Sequence, residues 1–126
     1  MQTSHLREAI VVVACLLSSC AQSTSRDPVT LTGKYAHEDE NYAVEFHDGK
    51  CTWPNDAKEQ VETDCFMRGD LIYLKPVVPV GEKMSRNVWV VYEIHDGYLE
   101  SHHIEDLDDG TIFYKNFKPK VILRKQ

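Results

Sequence analysis

Glu93, His95, Glu100 and His102 bring two carboxylates and two imidazoles into ten residues. Imidazole and carboxylate together are a ligand set for zinc or copper. Asp96-Gly97 lies between the two pairs and is a strong hairpin signal, because a tight turn needs positive φ. Counting outward from that turn sets 95 against 98, 94 against 99 and 93 against 100. Glu93 then faces Glu100, with His95 and His102 on the same side. Carboxylates opposed across a ladder repel, and a cation or a basic surface relieves them. A solvated outer face needs neither, since the outer side of a half-buried sheet is polar anyway. That reading is preferred, and no metal or cofactor is expected. By the same count His103 points inward, or the strand ends before it.

The stretch continues acidic. From Glu93 to Asp109 there are seven acids and no Lys or Arg, whereas Lys115 to Lys125 holds five bases and no acid. An acidic face steers a basic partner and speeds its association. The expected binding surface is Glu93, His95, Glu100, His102, Glu105, Asp106, Asp108 and Asp109, and the partner it suits is a basic protein. The net charge of -6 argues against a nucleic-acid binder, which needs a basic face against phosphates. No nucleophile elbow, phosphate-cradling glycine loop or His-Glu-x-x-His motif is present, and no catalytic residue is assigned. The chain is read as not being an enzyme.

Ala9 to Leu17 is an unbroken apolar run after a polar start. As a helix it spans about 14 Å, half a bilayer core, which suits a secretory signal and not a spanning segment. The run ends in Leu17-Ser18-Ser19-Cys20, which resembles the lipobox of bacterial lipoproteins. The resemblance implies removal of residues 1–19 and lipidation of Cys20. Ala21, where an Asp would retain the protein at the inner membrane, implies the outer membrane, facing the periplasm. Two or more acyl chains anchor stably where one does not. Residues 20–28 are small and polar and read as a tether, followed by one domain over 29–126.

Cys15 leaves with the signal and Cys20 takes the lipid, so Cys51 and Cys65 remain. An exported domain with one even pair reads as a disulfide, contributing about 3 kcal/mol for a ring of about 15 residues. Two free buried thiols are the alternative. The spacing is not that of a Cys-x-x-Cys redox pair.

The domain alternates with period two, broken by Asp48-Gly49, Gly69-Asp70, Asp96-Gly97 and Asp109-Gly110. Ala57 to Glu62 suits a single helical turn, and Pro76, Pro79 and Gly81 mark a loop. About eight short strands make an all-β antiparallel meander, closed as a barrel or a two-layer sandwich. Val90, Tyr92, Ile94 and Leu99 share the inward face of one hairpin, and Val44, Phe46, Cys51 and Trp53 that of another. Gly33-Lys34-Tyr35, followed by apolar strands with turns such as Phe46-His47-Asp48-Gly49-Lys50, resembles lipocalin-like small lipoproteins of the calycin type. That resemblance implies a barrel and assigns no binding residue. Two functions follow. A protein-binding module (an inhibitor, an immunity protein or an assembly accessory) needs a filled interior. A small-ligand carrier needs a hollow one. The bulky inward residues favour the first.

Overall fold

The computed structural model describes residues 25–38, 42–55, 57–77, 86–115 and 120–126. The expected signal over 1–19, Cys20, most of the tether, Pro79 and Gly81 lie outside them. Ten strands run among the described residues: β1 (Gly33–His37), β2 (Ala43–His47), β3 (Lys50–Pro54), β4 (Gln60–Thr63), β5 (Cys65–Arg68), β6 (Leu71–Leu74), β7 (Val88–His95), β8 (Tyr98–Asp106), β9 (Ile112–Tyr114) and β10 (Ile122–Lys125). They pair antiparallel in the order β4-β3-β2-β1-β10-β8-β7-β6-β5, with β9 attached to β8. The described residues are all-β, as the alternation requires.

The two ends of this order, β4 and β5, are separated in sequence by Asp64 alone. One bent strand therefore serves two neighbours: its first half pairs with β3 and its second with β6. Lys75 N–H donates to the Asp64 carbonyl at 3.0 Å, and Thr63 Oγ1 donates to the Lys75 carbonyl at 2.7 Å. These bonds carry the ladder around the corner, and the sheet curls into a nearly closed small barrel. The stretch read as a helical turn is β4 from Gln60 on, because Trp53 and Val61 pair across the ladder and satisfy backbone groups a lone turn would leave open.

The turns follow their residues. Asp48 and Gly49 both take positive φ, 52° and 78°, as a two-residue turn of type I′ demands. At 96–97 only Gly97 is left-handed, with φ of 83°. The pairing out from that turn is the one expected: His95 with Tyr98, Ile94 with Leu99, Glu93 with Glu100.

Inside the barrel, Tyr35, Val44, Phe46, Cys51, Ile72, Leu74, Tyr92, Leu99 and Leu123 form the main core, with Trp53, Val90 and Ile94 packed against it. Both predicted inward faces are found there. A second apolar cluster was not expected. Phe66, Tyr73, Trp89 and Val91 are buried together with Leu71 and Leu107 against them. Trp89 and Val91 alternate with the inward Val90 and Tyr92, so this cluster lies on the outer side of the sheet. Its rings stack closely, Phe66 on Tyr73 at 4.6 Å and Phe66 edge-on to Trp89 at 4.9 Å.

The segment before β1 helps to cover the cluster. The Arg26 guanidinium sits 4.9 Å from the Phe66 ring centre, and Asp27 and Met67 exchange two backbone hydrogen bonds of 2.9 Å. Arg68 Nε donates to the Ser25 carbonyl at 2.7 Å. Residues 25–28, expected to belong to the tether, are therefore part of the folded domain.

Leu99 is fully buried, whereas Val61 on β4 is 36% exposed. Leu99→Ala should cost about 3 kcal/mol through lost burial and the cavity left behind. Val61→Ala should change stability by less than about 0.5 kcal/mol. Urea unfolding of both variants tests this, and equal losses would refute the inward placement of Leu99.

Candidate functional site

The β7–β8 hairpin positions the charged residues. Its ladder runs in simple register from the turn to the pair Tyr92–Ser101, then shifts, so that Val91 pairs with His103. His102 is the extra residue of this β-bulge. A bulge breaks strict alternation, which places His102 and His103 together on the outer side. The inward orientation expected for His103 is thereby corrected: its ring is buried on the outer face, edge-on to Tyr73 at 6.3 Å.

Four of the predicted site residues meet. His95 Nε2 lies 2.7 Å from Glu93 Oε1 and 3.4 Å from Glu100 Oε2. His102 Nε2 is 4.0 Å from Glu93 Oε2. The His95 ring is stacked on Tyr98, with centres 4.6 Å apart and planes 7° from parallel, which fixes its orientation. One ligand atom each from Glu93, His95 and Glu100 falls within 4.8 Å of the others. This is the group among the described residues that can hold a metal ion.

Beyond it runs a hydrogen-bonded chain. His102 Nδ1 and His103 Nδ1 are 2.6 Å apart, and His103 Nε2 is 2.7 Å from Glu105 Oε1. The Tyr73 hydroxyl reaches the same Glu105 oxygen at 3.5 Å. Burial and the Glu105 carboxylate push the Tyr73 hydroxyl above its ordinary value.

The remaining predicted residues are held elsewhere. Asp106 is buried; its Oδ2 accepts from Arg86 Nε at 2.8 Å, and its Oδ1 accepts from Asp108 N–H at 2.8 Å. Asp109 Oδ2 accepts from Arg86 Nη2 at 2.8 Å, and Asp108 Oδ1 from Asn87 Nδ2 at 3.2 Å. Glu100 Oε1 takes Lys120 Nζ at 2.5 Å. The acidic run lacks bases only along the sequence. In space Arg86, from before β7, and Lys120, from before β10, neutralise part of it. Asp106 and Asp109 are each held by Arg86 and by a backbone N–H, and Asp108 by Asn87 through one oxygen.

Cys51 and Cys65 come together at the β4–β5 corner as free thiols. The Cys51 thiol donates to the Thr63 carbonyl at 3.4 Å. Its hydrogen bond to Cys65, and then burial, raise its proton affinity, while the same hydrogen bond lowers that of Cys65. Cys65 is thus the more readily ionised sulfur of the pair.

No family model, curated relative or solved structure matches the chain.

The hydrogen bond from Lys120 holds the Glu100 carboxyl below its ordinary 4.5. The unfolded chain, without Lys120 at hand, takes up this proton first as pH falls. The pair therefore contributes stability above the ordinary value, and the contribution is lost as pH drops through the lowered folded value. Carboxyl-carbon NMR should show Glu100 titrating below 4.5. Lys120→Gln should bring it back up, and a midpoint that ignores this substitution would show that Lys120 is not the cause.

Proposed function

We propose that the chain is a non-enzymatic lipoprotein of the bacterial envelope whose barrel works as a protein-binding module. In this reading residues 1–19 are removed, Cys20 is lipidated and the domain faces the periplasm from the outer membrane. The partner is a basic envelope protein, and the module acts on it as an inhibitor, an immunity protein or an assembly accessory. In that oxidising compartment the adjacent thiols of Cys51 and Cys65 close to a disulfide.

The bulky side chains buried inside the barrel support this reading most. Tyr35 and Phe46 meet edge-on at 5.6 Å in the middle of the barrel, and Phe46, Ile72, Leu74, Leu99 and Leu123 are fully buried around them. A carrier needs room there, roughly 300 Å³ or more. Among the described residues a depression of about 500 Å³ lies beside β5, lined by Arg26, Asp27, Pro28, Asp64, Cys65, Phe66 and Trp89. It is open and half polar, which does not suit an enclosed apolar ligand. The charge pattern narrows the docking surface to Glu93, His95, Glu100 and His102, since the acids at the far end of β8 are occupied by Arg86 and Asn87.

Two measurements on the protein from its native membrane test the reading. Mass spectrometry should find the chain starting at a lipidated Cys20, and lighter by two hydrogens for the disulfide. A photo-crosslinking residue in place of the exposed Asp96, beside the site, should capture one basic protein. The same residue in place of the exposed His47 on β2, separated from β8 by β1 and β10, should not. An unmodified Cys20, or identical capture from both positions, would overturn the proposal.

A further inference from the structure

We infer that Glu93, His95 and Glu100, with His102 at their edge, form a binding site for a divalent transition ion of the zinc type on the outer face of the β7–β8 hairpin. The site uses the side chains proposed above as the docking surface, and zinc uptake is read on the chain alone, so its failure is distinguishable from failure of the docking reading. It begins with the ring nitrogen of His95. Nε2 is shielded from solvent and makes no hydrogen bond, although carboxylate oxygens lie 2.7 and 3.4 Å away. Neither contact has the alignment a shared proton needs. A metal ion bonds to all three atoms at once and does not require them to point at one another. Ligands around tetrahedral zinc lie roughly 3.4 Å apart. The three atoms here are already within 4.8 Å of one another.

His102 borders the site. His103 Nε2 faces the Glu105 carboxylate at 2.7 Å, so it carries a proton there. With His103 neutral, its Nδ1 accepts the hydrogen bond at 2.6 Å from His102 Nδ1, and His102 Nε2, 4.0 Å from Glu93 Oε2, is left without a proton beside the site.

The supporting contacts are those of a metal site. Glu105 accepts from His103 Nε2, and His103 Nδ1 in turn holds His102 Nδ1 at 2.6 Å, which orients the His102 ring. Tyr98 holds the His95 ring in plane. Lys120 engages Oε1 of Glu100 and leaves Oε2 directed at His95. Such second contacts set ligand orientation and basicity. An imidazole nitrogen beside two carboxylates suits zinc better than magnesium or calcium, which prefer oxygen alone. The site also explains why Glu93 and Glu100 stand opposite one another on the ladder: the ion offsets their repulsion.

Calorimetric titration of the full chain in detergent with zinc chloride alone tests this. One equivalent should bind. Glu100→Gln and His95→Ala should each weaken binding by more than about tenfold, because even changes to the groups that only orient a ligand cost ~10–100-fold. Glu93→Gln, which keeps the side-chain shape, serves if His95→Ala does not fold by circular dichroism. Glu62→Gln, on the exposed face of β4, should bind as the parent does. Cobalt substitution distinguishes this site from the cysteines, since a nitrogen–oxygen site lacks the thiolate-to-cobalt charge-transfer band. No zinc uptake, a thiolate band, or unchanged affinity in the Glu100 and Glu93 variants would each overturn the inference.

Discussion

A meander of short strands has two raw edges, and in this chain everything depends on how they are joined at Asp64. An exposed edge offers unpaired backbone groups to any passing strand. Here the first and last strands of the sheet are halves of one bent strand, so the chain supplies its own closure. The corner is held from both sides. Lys75, just past β6, bonds to Asp64 and Thr63, and the Cys51 thiol on β3 bonds to the Thr63 carbonyl. Cys51 lies opposite Thr63, just before the bend, and Cys65 opposite Leu74, just after it. A bond between the two sulfurs would tie β3 to β5 across the one place where the ladder changes partner. The position of the cysteines therefore has a mechanical meaning that their spacing in sequence does not convey.

The outer edge of β5 is covered in a different way. The bridge from Asp27 to Met67 supplies backbone partners, and Arg26 and Arg68 lie over the Phe66 ring at 4.9 and 5.0 Å. Guanidinium planes stack on aromatic faces while their charge stays near water, which lets cations roof an apolar cluster. Lys75 adds a third, 5.1 Å from the Trp89 ring centre. Residues that look like a polar tether thus form part of the wall.

Much of the fold was legible because local rules governed it. Asp48-Gly49 and Asp96-Gly97 fixed two hairpins and their registers, and with them which of Val44, Phe46, Tyr92 and Leu99 faced inward. The facing pair Glu93 and Glu100 followed from the same count. Three things were not legible, each for a physical reason. The bulge at His102 inserts one residue, and no local pattern marked it. The outer burial of Trp89 and Val91 depends on Arg26 and Phe66, which are remote in sequence. The neutralisation of Asp106, Asp109 and Glu100 depends on Arg86 and Lys120, which reach them through tertiary contacts. Reading charge along one strand overstated the acidity of a surface that the fold balances with bases from other segments.

The bulge and the change in surface character coincide, and the coincidence is structural. On β7 the outward residues before the bulge are Trp89 and Val91, both buried; those after it are Glu93 and His95, both partly exposed. Opposite them, Glu105 and His103 lie on the buried side and Glu100 on the open side. Without the extra residue, strict alternation would turn one of the two histidines toward the core, where an imidazole needs a hydrogen-bond partner. With it, His103 sinks against Tyr73 and is satisfied by Glu105, while His102 stays at the border with its outer nitrogen toward Glu93. The one-residue shift therefore converts a two-residue sequence, His102-His103, into a linked pair with one ring buried and one available. The buried ring is hydrogen-bonded to the available one at 2.6 Å, and this contact orients a histidine on the surface of a β-ribbon.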